Sequence, residues 1–380
     1  MMANLDLYPS VKFLHAAARK KLPKFSLDYV EGGTGLEAGL KRNRDALDAV
    51  TIAPKYIKEW PSLDTQVELF GHKFSLPFGI APMGLASLQW PKAELIFAEA
   101  AKDANIPVGL STSCTVDIEE FGAVAGEHGW FQLYPPQDEN INDDLIERAE
   151  RSGCGALMVT VDVPARGWRP RDMYNGLSLP PRVTPASLYH AACRPRWSLT
   201  TVASGIPHFK TMGRYSKNKS FRGIADFIRQ QLGKPVSRDR LKHIRKKWKG
   251  PLIIKGIMHR GDAEDALSMG YDGILVSNHG GRQLDACLSP VEVLGDIINA
   301  VDGRAAVMVD SGFSNGLDVA RGIALGADFV FCGRAFMWGV SVLGKKGPEH
   351  VINLLSNELQ LTLTQIGCPS VNMLNDTWLS

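Results

Sequence analysis

The stretch Gly273-Ile274-Leu275-Val276-Ser277-Asn278-His279-Gly280-Gly281-Arg282-Gln283-Leu284-Asp285 carries the pattern on which the fold turns. A short apolar run, too short for a helix, breaks directly into a polar, glycine-rich terminus. Working outward, the same pattern recurs from residue 75 to the end of the chain. The apolar runs lie at 76–80, 107–110, 130–133, 156–161, 252–254, 273–276, 306–309 and 329–332. Between them come amphipathic segments such as 92–104, 139–152, 261–269 and 315–326, of the right length for crossover helices. Continuous apolar strands imply a sheet buried on both faces, and eight strand–helix units imply closure into an α/β (β/α)8 TIM barrel. One gap is long. Residues 163–240 therefore read as an insertion after the fourth strand, residues 1–70 as an N-terminal helical extension, and 1–380 as a single domain.

Bulk properties agree with a large soluble core: 44% of the residues are hydrophobic and 22% charged. The N-terminus lacks a basic stretch followed by an apolar run, and no segment approaches ~18 consecutive apolar residues, so a cytoplasmic protein is expected. Six cysteines, at 114, 154, 193, 287, 332 and 368, show no CxxC or metal-ligand spacing and read as reduced thiols; no metal is expected. Charge is uneven. Residues 194–249 hold sixteen Lys/Arg against Asp226 and Asp239, although the whole chain is only +3. Such a block asks for an anionic partner or a compensating neighbour subunit.

Barrel enzymes place their chemistry at the carboxyl ends of the strands. Here those ends read Ala-Pro-Met-Gly, Ser-Thr-Ser, Gln-Leu-Tyr, Thr-Val-Asp, Lys-Gly, Ser-Asn-His-Gly-Gly-Arg, Asp-Ser-Gly and Gly-Arg. His279 can accept a proton near neutral pH, and Arg282, three residues on across a glycine turn, can grip a carboxylate with a bidentate fork. The pair suits a substrate whose carboxylate adjoins an ionisable C–H or O–H.

Taken in order, Leu22-Pro23 with Asp28-Tyr29, Trp130-Phe131-Gln132-Leu133-Tyr134, Thr160-Val161-Asp162, Lys255-Gly256, the His279 stretch, Asp310-Ser311-Gly312 and Gly333-Arg334 resemble the FMN-dependent 2-hydroxy-acid dehydrogenase family over nearly the whole chain. That family includes lactate and mandelate dehydrogenases and glycolate and lactate oxidases. The resemblance implies FMN, an (S)-2-hydroxy-acid substrate, a quinone or other electron acceptor and a homotetramer. It makes His279 the base, oriented by Asp162, with Tyr134 on the substrate oxygen. Arg169 and Arg282, assisted by Tyr29, would hold the carboxylate. Ala81, Pro82 and Met83 would pass along the flavin face, Ser111, Gln132 and Thr160 would bond its polar edge, and Ser277 would also contact the cofactor. Lys255 would stabilise the reduced ring; the alternative is a salt bridge inside the barrel, and the flavin is preferred because a buried lysine without a counter-ion would be costly. Asp310 would hold the ribityl hydroxyls, Ser311 would also touch the cofactor, and Gly312, Gly333 and Arg334 would take the phosphate.

The chain also departs from the family. Ser314 stands where an arginine commonly reaches the FMN phosphate, so either the cofactor binds more weakly or another basic residue compensates. Gly84 stands where the oxidases carry alanine and mandelate dehydrogenase carries glycine, which favours transfer to a carrier other than oxygen. Ser113, near a site that is tryptophan in glycolate oxidase, leaves room for a larger side chain. In the insertion, Leu188, Tyr189, Trp197, Phe209, Tyr215 and Phe221 are interleaved with Arg194, Arg196, Lys210, Arg214, Lys217, Lys219 and Arg222. That mixture suits either a mobile segment over 180–230 on the inner face of an anionic membrane, or a lid or subunit interface. Two rival functions remain at this level. One is an FMN barrel isomerase, which has no use for the His279–Arg282 pair. The other is a non-enzymatic protein using the basic block, which contains no recognised nucleic-acid module, so no nucleic-acid partner is expected.

Overall fold

The computed structural model describes residues 6–57, 62–177 and 182–380. A short hairpin, β1 (Val67–Leu69) and β2 (His72–Phe74), precedes eight barrel strands. These are β3 (Phe78–Ile80), β4 (Val108–Ser111), β5 (Gly129–Leu133), β6 (Ala156–Thr160), β7 (Leu252–Ile257), β8 (Gly273–Val276), β9 (Ala306–Val309) and β10 (Phe329–Cys332). Each pairs in parallel with the next, and β10 returns to β3 to close the barrel. All eight apolar runs of the sequence became strands. The first run loses Leu76 and Pro77, since proline has no N–H to give a ladder. The fifth extends past Lys255 to Ile257 through a register shift at Gly256.

That shift positions chemistry. Gly256 lies at φ +99°, and a β-carbon there would sit 2.5 Å from Cβ of Asp162. Only glycine lets the end of β6 bring a carboxylate so close to the end of β7. At the opposite mouth the hairpin turns aromatic rings onto the barrel floor. Phe70 meets Trp130 with ring centres 5.9 Å apart, and Phe74 meets Phe329 at 6.0 Å.

The N-terminal extension is helical at Val11–Lys21, Lys24–Glu31 and Ala38–Ala49, and it reaches the catalytic face. Asn43 and Asn278 exchange two amide hydrogen bonds, 2.9 and 2.6 Å, in a buried pair. Asp285 accepts from the backbone N–H groups of Leu36 and Gly39. Four buried cysteines, 114, 154, 332 and 368, sit in the core, while Cys193 is exposed.

The insertion is itself helical, with helices at Pro170–Tyr174, Pro185–Ala192, Pro195–Ser204, Lys210–Gly213 and Phe221–Gln231; residues 178–181 lie outside the described set. Arg238–Lys247 then forms the crossover helix to β7, and here part of the charge excess is offset by acids on neighbouring elements. Arg238 meets Asp265, Arg245 meets Asp272, and Lys247 meets Asp143. Three aromatic residues expected on a membrane-facing surface prove to be internal anchors. Trp197 donates to Leu88 O and packs edge-on to Phe25, Phe209 is buried, and Tyr215 joins Arg148 and Asp144. Leu188, Tyr189 and Phe221 are exposed as expected, and so are Trp168, Met173, Tyr174, Val183, Leu199, Val202 and Ile206. Among the described residues, no helix is long and apolar enough to cross a membrane.

Candidate active site

A cavity of about 1320 Å³ opens at the carboxyl ends of the strands, roofed by the insertion and flanked by the N-terminal helices. A pocket for one drug-sized ligand measures about 300–1,000 Å³, so this one has room for a cofactor and a substrate together. Sixteen of the twenty residues expected in the site line it. Asp162, Gln132, Thr160 and Ser277 stand behind that lining.

His279 follows β8 at φ +60°, and Gly280 (φ +65°) and Gly281 (φ +72°) continue in the same left-handed region. A β-carbon at Gly280 would meet Arg334 at 2.9 Å, so the turn needs glycine both for its backbone and for space. The His279 amide is pinned by Ser277 Oγ at 3.0 Å. Its ring lies between two partners: Nδ1 is 3.0 Å from Asp162 Oδ1, and Nε2 is 3.1 Å from the Tyr134 hydroxyl. A carboxylate at Nδ1 favours the proton there, which leaves the Nε2 lone pair facing the cavity. Burial, then the Asp162 charge, push the Tyr134 phenol well above its ordinary value, so it remains a neutral donor.

Beside this pair stand Arg169 and Arg282. Arg282 Nη1 donates to the carbonyls of Tyr29 (2.7 Å) and Gly32 (2.9 Å), at the C-terminal end of helix Lys24–Glu31. Its guanidinium carbon lies 5.1 Å from the Tyr29 ring centre. Tyr29 in turn donates to Gly84 O at 3.0 Å. Arg169 donates to Arg282 O and to Gln283 Oε1, both at 3.2 Å. Burial, then the like charge of Arg282, hold Arg169 down to about 10. Two crowded cations of this kind are relieved by an anion placed between them. Asp172 is the carboxylate they share, at 3.9 Å from Arg169 and 3.7 Å from Arg282. Asp172 and Gln283 escaped the sequence reading, although Asp172 follows Arg169 by a single helical turn and Gln283 lies inside the His279 stretch.

For Lys255 the flavin role was preferred to a salt bridge inside the barrel, and the structure shows that the lysine makes that salt bridge. Its Nζ lies 2.5 Å from Asp310 Oδ2 and 2.8 Å from Ser277 Oγ, and both ends of the pair are buried. Burial alone would raise the Asp310 pKa; Lys255 reverses the direction and lowers it. Ser277 is therefore committed to Lys255 and the His279 amide, and Gln132 donates to Thr160 at 2.8 Å, so these three form a polar layer behind the cavity wall. Arg334 is likewise engaged: it donates to the carbonyls of Val30, Gly32 and Gly280, and burial lowers it to about 9.

The far end of the cavity suits a phosphate. The backbone N–H groups of Gly312 and Gly333 engage no protein acceptor among the described residues. Ser314, in the arginine's place, turns its N–H and hydroxyl to Asp318 at 3.0 and 3.3 Å. Asp318 is fully buried and held by both amino groups of Arg44 at 2.7 Å and by Arg321 at 3.2 Å. Arg44 also lines the cavity beside Gly312 and Ser314, the nearest candidate for the missing charge. A cavity large enough for both molecules, a buried lysine on its wall and open amides at its end together fit a flavin mononucleotide.

Comparison with known proteins agrees. The chain is 37% identical over 365 residues to an L-lactate dehydrogenase of Alcaligenes faecalis, covering 96% of both chains. It is 38% identical over 364 residues to a 4-hydroxymandelate oxidase of Amycolatopsis orientalis, again over 96% of each. The crystal structure of the monotopic membrane protein (S)-mandelate dehydrogenase superposes with a TM-score of 0.93 at 34% identity, covering 98% of each chain. The FMN-dependent dehydrogenase family matches residues 18–380, and the chain belongs to it.

Proposed function

We propose that the protein oxidises an (S)-2-hydroxy acid to the 2-oxo acid, with His279 as base. The observation that carries this reading is the His279 ring held between Asp162 and Tyr134 with Arg169 and Arg282 alongside. The substrate carboxylate docks on the two arginines, which directs the neighbouring C–OH unit between the Tyr134 hydroxyl and His279 Nε2, so that Tyr134 exchanges its hydrogen bond to Nε2 for one to the substrate oxygen. His279 takes a proton from that unit, and Asp162 stabilises the resulting imidazolium through Nδ1. Tyr134 donates to the substrate oxygen while its charge changes. Bound FMN supplies the two-electron acceptor. Ala81, Pro82, Met83, Ser111 and Lys255 would line its ring, Asp310 and Ser311 its ribityl chain, and Gly312, Gly333 and Arg334 its phosphate, with Gln132, Thr160 and Ser277 supporting from behind.

A lactate- or mandelate-like acid fits the names of the relatives. Transfer to a quinone or another carrier, rather than to oxygen, is supported by Gly84: a β-carbon there would stand 3.3 Å from Ser113 Cβ and 3.7 Å from the Tyr29 hydroxyl, so the chain keeps this wall bare. Peripheral membrane contact is supported by the exposed apolar residues of the insertion and by the monotopic relative. A homotetramer is the assembly the family resemblance implies, to be checked by light scattering. The deciding experiment is anaerobic mixing with (S)-lactate, mandelate, glycolate and longer (S)-2-hydroxy acids. Flavin bleaching is expected, followed by fast reoxidation with a quinone and slow reoxidation with oxygen. Failure of every 2-hydroxy acid to bleach the flavin would reject the assignment.

A further inference from the structure

Two arginines that line the cavity, Arg166 and Arg182, take no part in the reaction and have no carboxylate within 4 Å among the described residues; Arg166 is the one set directly after a barrel strand. Arg166 lies in the loop after β6, three residues before Arg169, and lines the same chamber as Tyr134 and His279. Arg169 and Arg282 share Asp172, Arg171 has Glu31 and Glu37, and Arg44 has Asp48 and Asp318. Arg166 has no carboxylate within 4 Å among the described residues. Its side chain makes one hydrogen bond, from Nη2 to Ile228 O at 3.3 Å, although a guanidinium carries five N–H donors.

Its surroundings are those of a concave wall. The side chain is open to solvent, yet neighbouring atoms crowd it enough that desolvation, then the Arg229 charge, lower its pKa. Tyr134 acts on it in the opposite direction, which places it within Coulomb reach of the reacting centre. A partly desolvated cation with spare donors and no counter-ion is stabilised by an anion. The α-carboxylate of the substrate is already assigned to Arg169 and Arg282, so the anion at Arg166 has to belong to another part of the molecule.

We propose that Arg166 is a specificity residue that receives a second carboxylate at the distal end of the substrate, making 2-hydroxy dicarboxylic acids preferred substrates of this chamber. The proposal rests on the 2-hydroxy-acid reading above. It accounts for an arginine on the substrate side of a cavity that is otherwise roofed by apolar residues such as Leu188, Val202 and Ile206. It also gives a use to the space left by Ser113 and Gly84.

The test compares acids of equal chain length that differ only in the distal group: (S)-malate against (S)-2-hydroxybutanoate, and (S)-2-hydroxyglutarate against (S)-2-hydroxypentanoate. Flavin reduction is followed anaerobically in the holoenzyme and in Arg166→Leu and Arg166→Lys. For at least one pair the natural protein is expected to show a KM about 10- to 100-fold lower for the dicarboxylate, the range of a charge-assisted hydrogen bond. Arg166→Leu should bring that ratio close to one through KM rather than kcat, and Arg166→Lys should restore part of it. Binding of oxaloacetate or 2-oxoglutarate to the oxidised enzyme, read from the perturbed flavin spectrum, should weaken in parallel. If monocarboxylates bleach the flavin as well as dicarboxylates do, or if Arg166→Leu harms both members of a pair equally, Arg166 is a strut to Ile228 and the proposal falls while the 2-hydroxy-acid assignment stands. If no acid of either kind bleaches the flavin, the assignment itself falls, and this proposal with it.

Discussion

The ring of strand ends and the 163–240 insertion face the same cavity and are built in opposite ways. In the ring, polar groups that matter are held from two sides: His279 by Asp162 and Tyr134, Lys255 by Asp310 and Ser277, Arg282 by two helix-terminal carbonyls. In the insertion, helices Pro185–Ala192 and Pro195–Ser204 bury almost nothing, Thr201 alone, and leave Leu188, Leu199 and Val202 more than half exposed. The contrast shows where binding energy has been invested before any ligand arrives. The ring is preorganised for charge that develops at fixed points, whereas the insertion offers apolar surface that still needs a partner.

The strongest way to break this picture is at His279. His279→Gln should retain FMN and still bind a 2-oxo acid, since Arg169, Arg282 and Lys255 are untouched. Flavin reduction should fall by about 10²–10⁴-fold for the lost base, and further because the Asp162 charge no longer has an imidazolium to stabilise. Stopped-flow reduction of the variant measures this, and a loss under tenfold would remove His279 from the role.

Arg282→Lys should come next. An ammonium cannot both reach the carbonyls of Tyr29 and Gly32 and present a fork to the substrate. With a charge-assisted hydrogen bond worth about 1.5–3 kcal/mol, KM should rise about 10- to 100-fold, with a smaller change in kcat. A kcat loss that exceeds the KM rise would mean that Arg282 acts on the transition state rather than on docking.

How far the chain could be read from its sequence follows the same division. Barrel strands are local signals, and all eight runs were legible, as were His279, Asp162 and the family. What escaped depends on proximity across the fold. No spacing rule brings the end of β7 to the end of β9, so a salt bridge for Lys255 was an open alternative with no partner to name, and the solvation argument that set it aside in favour of the flavin was incomplete. Trp197, Phe209 and Tyr215 have the composition of an interfacial belt, but an aromatic side chain with a polar tip serves equally well as a core anchor. Only packing separates the two. The basic block is partly offset in the same way: Arg238, Arg245 and Lys247 meet acids on neighbouring elements, which no count of charges within 194–249 could show.

The insertion supplies the third prediction. Replacing 185–225 with a short linker should abolish sedimentation with anionic vesicles while sparing the barrel fold. Contacts of Lys210 with Glu120 and Arg214 with Glu119 already absorb part of the positive charge, so fewer basic residues remain for the surface than the sequence implies. Each is worth at most ~1 kcal/mol near an anionic membrane. Binding of the intact chain should therefore be reversible and weakened by salt, with a residue of salt-resistant attachment from Leu188, Leu199, Val202 and Ile206. Equal, negligible sedimentation of both proteins would leave the insertion as a lid or a subunit contact.

The smallest expected effect lies at the weakest point of the ring, where Ser314 replaces the phosphate-reaching arginine. Ser314→Arg adds a cation beside the open amides of Gly312 and Gly333, which should tighten FMN by about 1 kcal/mol, roughly fivefold in Kd. Two features limit the gain. Asp318 accepts from the Ser314 amide and would attract the new guanidinium, and Arg44 already stands beside Gly312 with part of its charge spent on Asp318 and Asp48. Fluorescence titration of the apoprotein with FMN, at low and at high salt, separates the possibilities. A tighter Kd that relaxes toward the natural value as salt rises identifies a direct phosphate contact. An unchanged or weaker Kd means that Arg44 has already taken over the missing role, or that Asp318 captures the introduced arginine. In that event Arg44→Gln in the natural background should weaken FMN by more than Ser314→Arg strengthens it.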